Sequence, residues 1–192
     1  MTAIDISSLT DRISDFQLEQ LCANNPDTRF ETTKEGKLII MSPTGSESGK
    51  FNMSLAFQIE LWNRRTKLGV TFDSSTGFKL SNGATKSPDV SWIKNSRWQA
   101  ISKAQQRKFA PIDPDFVIEL LSPTDDLIEL QQKMLEYMNC GVKLGWLIDP
   151  DEKLVEIYRN GEDKEVLINP DSLSGEDILP ELIVDLSDIF DA

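Results

Sequence analysis

The 192-residue chain contains no histidine. That absence removes serine–histidine triads, histidine-bound zinc and imidazole acid–base chemistry together. Only two cysteines occur, Cys22 and Cys140, far apart and without metal-ligand spacing. They read as two buried thiols rather than as a disulfide. Basic residues are scarce: 20 Lys and Arg stand against 32 Asp and Glu, a net charge of −12. Broad, non-specific nucleic-acid binding relies on basic surface to displace counterions, so this balance argues against it while leaving room for a local basic groove. No apolar run approaches membrane-spanning length, so no membrane association is expected. The first residues, MTAIDISSLTDRISDF, lack the basic-then-apolar order of a secretory signal, and a cytoplasmic location is the expectation. Chemistry at neutral pH is left to carboxylates, lysine, a metal-bound water or a perturbed cysteine.

What the chain does have is an apolar run interrupted by one charge. Residues 114–121 read PDFVIELL, with Glu119 in the middle. A run this short and apolar predicts a central strand buried on both faces. A carboxylate there is costly unless it is protonated, paired or holding a cation.

The rest of the chain predicts one domain over 1–192, large enough for a substantial core. A helix is expected over 14–23, with Ser14 or Asp15 as cap and Asn24-Asn25-Pro26 as stop. Strands over 29–33 and 37–41 flank Lys34-Glu35-Gly36, a hairpin signal. A long helix over 45–68 carries the apolar stripe Phe51, Leu55, Ile59 and Trp62, with Gly69 as its expected stop. Strands follow at 70–73, 78–80 and 89–93, with Asn82-Gly83 as a turn. Residues 95–107 read as short surface helices. The strand at 115–121 leads through a Ser-Pro-Thr-Asp-Asp loop to a helix over 127–139, with Leu127, Leu130, Met134 and Met138 inward. Apolar strands at 144–148 and 153–159 follow. The strand–helix–strand unit over 115–148 requires a crossover, which makes its strands parallel. The expected fold is therefore α/β (α+β): a mixed central sheet flanked by helices. An N-terminal helix over about 14–25 precedes a core over about 28–160. The acidic, amphipathic tail over 161–192 reads as a docked edge.

Ser87-Pro88-Asp89-Val90 opens one strand, and Glu119 lies inside another thirty positions later. Carboxylates on neighbouring strands can converge on a hard divalent cation such as Mg²⁺. Such a cation activates water and stabilises charge on a phosphoryl oxygen, and a nearby lysine can orient the water or offset developing negative charge. Pro88-Asp89 followed by an acidic residue on a later strand resembles the PD-(D/E)XK nuclease signature. The position where that signature carries lysine, two residues after Glu119, is Leu121. Lys133 is the substitute candidate, about 90° from the centre of its helix's apolar stripe. Each residue also has a plainer reading. Asp89 could begin a strand, and Glu119 could form a buried ion pair. Lys133 could pair along its helix with Glu129 or Glu136. Asp125 and Asp126 read as helix caps. Trp62, Trp92, Trp98 and Trp146 read as core rather than as base-stacking groups.

The resemblance extends further. Met41-Ser42-Pro43-Thr44-Gly45, Ser87-Pro88-Asp89-Val90, Pro114-Asp115-Phe116-Val117-Ile118-Glu119-Leu120, Lys133-Met134-Leu135-Glu136-Tyr137 and the segment Gly141-Val142-Lys143-Leu144-Gly145-Trp146-Leu147-Ile148-Asp149-Pro150 occur in an order that resembles the Uma-two family of bacterial restriction-endonuclease-like proteins. The resemblance implies a restriction-endonuclease-like core and an endonuclease that cleaves DNA with Mg²⁺ or Mn²⁺. It places the acidic pair at Asp89 and Glu119 and the displaced lysine at Lys133. Its helix-borne acidic position, also a metal ligand, falls on Glu47, with Glu60 farther along the same helix in reserve. It also implies a homodimer. Against this stands a second function class: a nuclease fold that binds nucleic acid or protein without cleaving, motivated by the −12 charge and by Leu121 at the lysine position.

Overall fold

A computed structural model describes residues 2–3, 12–41 and 43–190. In chain order the strands are β1 (Thr2–Ala3), β2 (Arg29–Thr32), β3 (Leu38–Met41), β4 (Gly69–Asp73), β5 (Phe78–Lys79), β6 (Thr85–Lys86), β7 (Val90–Lys94), β8 (Phe116–Leu120), β9 (Leu144–Asp149), β10 (Leu154–Arg159), β11 (Glu165–Ile168), β12 (Ser172–Ser174) and β13 (Ile183–Asp185). The helices are α1 (Asp15–Asn24), α2 (Ser46–Thr66), α3 (Asn95–Trp98), α4 (Lys103–Gln106), α5 (Leu127–Asn139) and α6 (Ser187–Phe190).

The centre is a six-stranded mixed sheet in the order β11-β10-β9-β8-β7-β4. Only β8 and β9 run parallel, joined through α5 as the crossover requires. Alternation along β8 assigns its side chains to two layers. Phe116, Ile118 and Leu120 pack with Phe51, Leu55, Ile59 and Trp62 of α2. Val117 and Leu121 pack on the opposite face with Leu130, Met134 and Tyr137 of α5. Glu119 shares that α5 face by its position between them. Close helix–sheet contact there depends on Gly145 of β9, where an added Cβ would lie 2.5 Å from the Met134 methyl. Asp126 caps α5 by accepting the Ile128 and Glu129 N–H groups, and Gly141, at φ 95°, ends it.

A second, five-stranded sheet has the order β1-β3-β2-β6-β5. Short β6, which the sequence pattern did not announce, joins β2 to the segment entering Asp89. The central sheet is thus joined by this second sheet, and β12 and β13 pair as a third, two-stranded one.

Local chemistry accounts for the other departures. Ser14 caps α1 in a capping box with Gln17. Helix α2 stops at Lys67, in the left-handed conformation, rather than at Gly69. Gly69 instead opens β4, because a Cβ there would sit 2.3 Å from the Ile93 carbonyl oxygen and the Trp92 ring. Leu127 of α5 is exposed while Lys133 and Tyr137 are buried, so the inward face of α5 is rotated from its purely apolar stripe. Within the tail, β11 forms one edge of the central sheet as expected, while β12 and β13 pair with each other in a small sheet of their own. Leu173, Leu182, Val184, Leu186, Ile189 and Phe190 enter the core beneath α2, where their burial follows from their apolar spacing. Trp62, Trp92 and Trp146 are core residues, and Cys22 and Cys140 are free and partly exposed. No helix among the described residues is long and apolar enough to cross a membrane. Ser42 lies outside the described residues.

Candidate active site

Where β7 enters the central sheet, Asp89 meets the end of β8. Its Oδ2 accepts the Leu120 backbone N–H at 2.9 Å, and its Oδ1 accepts from Asn52 Nδ2 of α2 at 3.2 Å. The carboxylate accepts hydrogen bonds but donates none when ionised, so the amide presents its nitrogen. Asn52 Oδ1 is left buried with no hydrogen-bond partner among the described residues.

Glu119 lies one residue before Leu120 and is buried, at 3% exposure. Its Oε1 accepts from the Tyr137 hydroxyl at 2.8 Å and pairs with Lys133 Nζ at 2.8 Å, both delivered by α5. Residues 133 and 137 are four apart and occupy one helix face, so one register sets both contacts. Lys133 does not reach outward to Glu129 or Glu136. Its Nζ is buried between Glu119, Glu31 Oε1 at 3.1 Å and the Ser87 carbonyl oxygen at 3.4 Å.

Asp89, Glu119 and Lys133 line one cavity of about 150 Å³ with Arg29, Asn52 and Ser122. Arg29 donates Nη1 to the Ser74 carbonyl oxygen at 2.9 Å. Ser122 turns aside to Asp125, donating its hydroxyl at 2.6 Å in the loop that leads to α5.

Glu47 does not join this group. It stands exposed in the first turn of α2 and does not line the cavity. Negative charge there is favoured by the helix dipole alone. Glu60 is engaged elsewhere, by Arg64 at 2.7 Å and by the Thr71 hydroxyl.

The carboxylate that the sequence did not point to is Glu31 of β2, with 0% exposure. Its Oε1 accepts the Ser87 backbone N–H at 2.9 Å besides pairing with Lys133, and its Oε2 lies 3.4 Å from Lys86 Nζ. Glu31 therefore supports both the lysine and the Ser87-Pro88-Asp89 turn. Its strand, Arg-Phe-Glu-Thr, alternates like an ordinary hairpin strand. Only the pairing of β2 with β6 shows that all of Phe30, Glu31 and Thr32 are covered. Two lysines near the motif, Lys86 and Lys133, were the available hint of a buried counter-charge.

The electrostatics divide the carboxylates. Burial pushes Asp89 up, against the Leu120 N–H, Lys133 and Arg29. Burial pushes Glu119 up to about 7, opposed by Lys133 and reinforced by the charges of Asp89 and Glu31. Burial also acts on Glu31, but Lys133, Lys86 and the Ser87 N–H outweigh it and hold its carboxyl low. Burial disfavours the ammonium of Lys133, yet Glu119 and Glu31 overcome this and raise it. Lys133 is a cation at neutral pH and serves as donor rather than base.

Among the described residues no group of three or more histidine, cysteine, aspartate or glutamate side chains is arranged to hold a metal ion. The pair Asp89 and Glu119 nonetheless suits one kind of ion. Mg²⁺ is commonly held by one or two carboxylates and keeps several of its waters. The donors here are oxygen only, both carboxylates are pushed up by burial, and the unpartnered Asn52 oxygen lines the same cavity. At roughly 30 Å³ per water, the cavity has room for a partly hydrated ion.

Comparison with known proteins gives the family and the fold. The model of the Uma2 family, described as "Putative restriction endonuclease", matches residues 15–187. The crystal structure of a "putative nuclease belonging to DUF820" from Anabaena variabilis aligns with a TM-score of 0.72 and 24% identity, covering 84% of this chain and 89% of that one. It shares the fold. A DrdV–DNA complex aligns with a TM-score of 0.37 and 16% identity, over 60% of this chain and 10% of that one, too slight a likeness to argue from. The curated proteins give no match.

Proposed function

The chain belongs to the Uma2 family, and from that premise we propose that it is a divalent-metal-dependent endonuclease hydrolysing DNA phosphodiester bonds with Mg²⁺ or Mn²⁺. The observation that carries the reading is the convergence of Asp89, Glu119 and Lys133 on one polar cavity, although they come from β7's entry, β8 and α5.

Asp89 and Glu119 hold the cation in this reading. When bound, Mg²⁺ or Mn²⁺ lowers the pKa of a water and offsets charge on a phosphoryl oxygen. The residues of the chain supply the rest. Leu120 N–H and Asn52 fix the Asp89 carboxylate in orientation, and Tyr137 does the same for Glu119. Lys133, kept charged by two carboxylates, orients water by donation and neutralises negative charge developing on the phosphate. Arg29 adds a second cation to the same cavity, whose lining carries three carboxylates, Asp89, Glu119 and Asp125. The PD-(D/E)XK arrangement is thus carried with its lysine moved from residue 121 to the helix.

A second reading, a nuclease fold that binds nucleic acid or protein without cleaving, is favoured by one observation. All three N–H groups of Lys133 have acceptors, at 2.8, 3.1 and 3.4 Å. Incubation of purified protein with plasmid and short duplex DNA separates the two. The nuclease reading expects strand cleavage with Mg²⁺ or Mn²⁺, none with a chelator, and none from Asp89→Ala. Cleavage that survives Asp89→Ala removes the assigned site, and binding without cleavage favours the second reading.

A further inference from the structure

Glu31 is fully buried and does not line the cavity, and its link to the cavity lining runs through Lys133. Two groups fix its orientation, Lys133 and the Ser87 N–H at Oε1, while Oε2 makes no hydrogen bond among the described residues and faces the charge of Lys86 at 3.4 Å. Lys133 is equally committed. An ammonium has three N–H donors, and Glu119, Glu31 and the Ser87 carbonyl oxygen take them. As arranged, Lys133 has none left for a water or a phosphate oxygen in the cavity. One bond must open for it to act there.

The three acceptors are not equivalent. Glu119 faces the cavity and is the one whose electron pairs a divalent cation would also claim, whereas Glu31 lies behind the lysine. Charges pair off when the cation is added, since Arg29 and Asp125, which also line the cavity, contribute one charge of each sign. Asp89 and Glu119 match its two charges and Glu31 matches Lys133. Glu136, 3.6 Å from Lys86 Nζ, is placed to match Lys86.

We propose that Glu31 is the positioning residue on which Lys133 stays when a divalent cation occupies the Asp89–Glu119 pair, the N–H now given to Glu119 turning into the cavity. This rests on the reading of that pair as a cation site. Lys133 is then a resident counter-cation without metal and a free donor with it. Glu31 makes the exchange possible without letting the ammonium leave.

Wild-type crystals soaked in Mn²⁺, with the ion located by its anomalous scattering, test this. The expected result is Mn²⁺ at Asp89 and Glu119, with Lys133 Nζ within hydrogen-bond distance of Glu31 and beyond about 3.5 Å from both Glu119 oxygens. Mn²⁺ bound with Nζ still on Glu119 overturns the exchange while leaving the cation site standing. No ion in a saturating soak removes the site, and the exchange with it. Calorimetric titration with Mn²⁺ adds a double-mutant cycle. Lys133→Met is expected to tighten binding by removing a competing cation. Glu31→Gln is expected to weaken it about tenfold in the wild-type background and less than about twofold in Lys133→Met. An equal effect in both backgrounds shows that Glu31 acts through its charge or through the fold, not by holding Lys133, and overturns the proposal. The soak uses the unaltered protein, so it decides even if Glu31→Gln fails to fold.

Discussion

Replacing Lys133 by methionine keeps much of the side-chain volume and removes the charge together with its three N–H donors. Glu31 and Glu119, at 0% and 3% exposure, then lose the ammonium they share; Glu31 retains Lys86 and the Ser87 N–H, and Glu119 retains the Tyr137 hydroxyl. Breaking a buried ion pair from one side costs about 3–5 kcal/mol. For a domain of this size each kcal/mol lowers Tm by about 2–4 °C, so the expected loss is roughly 6–20 °C at pH 8 without metal. Lys108→Met is the control: Lys108 pairs with Glu19 at 2.8 Å, but the lysine is 62% exposed, and such pairs contribute about 0–1 kcal/mol. The pH dependence has a definite sign. Glu119 titrates near 7 in the fold, above the ordinary glutamate value, so the native state binds more protons than the unfolded chain below that pH. Stability from this group is present in acid and is lost as pH rises toward 7. Glu31 is held low, so its contribution is present at neutral pH and falls in acid. Lys133→Met removes the attraction that holds both carboxylates ionised, so the penalty shrinks as pH falls from 8 to 5 and Glu119 takes up its proton. Thermal unfolding followed by circular dichroism across that range is the assay. A penalty no larger than that of Lys108→Met, or one that grows in acid, refutes the reasoning.

Other outcomes follow from the same geometry. Cation binding requires ionised Glu119, so Mn²⁺ affinity measured by calorimetry should fall up to about tenfold per pH unit below 7; a flat profile from pH 5 to 8 contradicts the assignment of Glu119 as a ligand. Glu47→Gln should leave Mn²⁺ affinity within about twofold, because Glu47 is exposed and off the cavity lining; a larger loss restores it to the ligand set. Leu121→Lys in the Lys133→Met background should recover part of the lost Tm, since residues 119 and 121 point to the same face of the strand; no recovery shows that only the helix can deliver the ammonium. Gly69→Ala should cost about 1–3 kcal/mol in a denaturant titration, since its Cβ meets the Ile93 carbonyl oxygen at 2.3 Å and neither strand can yield alone; an unchanged midpoint means that β4 shifts freely.

The acidic pair was legible because each member breaks a local pattern. Glu119 is a charge inside an apolar run, and Asp89 follows a proline where a strand opens. The parallel β8–β9 pair was legible because α5 leaves the chain no shorter way between them. Lys133 was not legible from periodicity. It lies off the apolar stripe and has Glu129 and Glu136 at helical spacing, so the local pattern favours a surface pair. Only the resemblance to a family pointed inward. What turned it inward is tertiary: Gly145 lets α5 approach the sheet, and the face that packs contains Tyr137 and Lys133. Glu31 was invisible for a related reason. A hairpin strand alternates whether one face or both are covered, and the covering of β2 comes from distant segments, β6 and α5.

The central claim is that the Asp89–Glu119 pair holds one divalent cation. Calorimetric titration of the metal-free protein with Mn²⁺ at pH 8, beside Asp89→Ala shown by circular dichroism to be folded, tests it most directly. The account predicts one site per chain in the unaltered protein and none in the variant. Equal binding by both, or binding by neither, contradicts it.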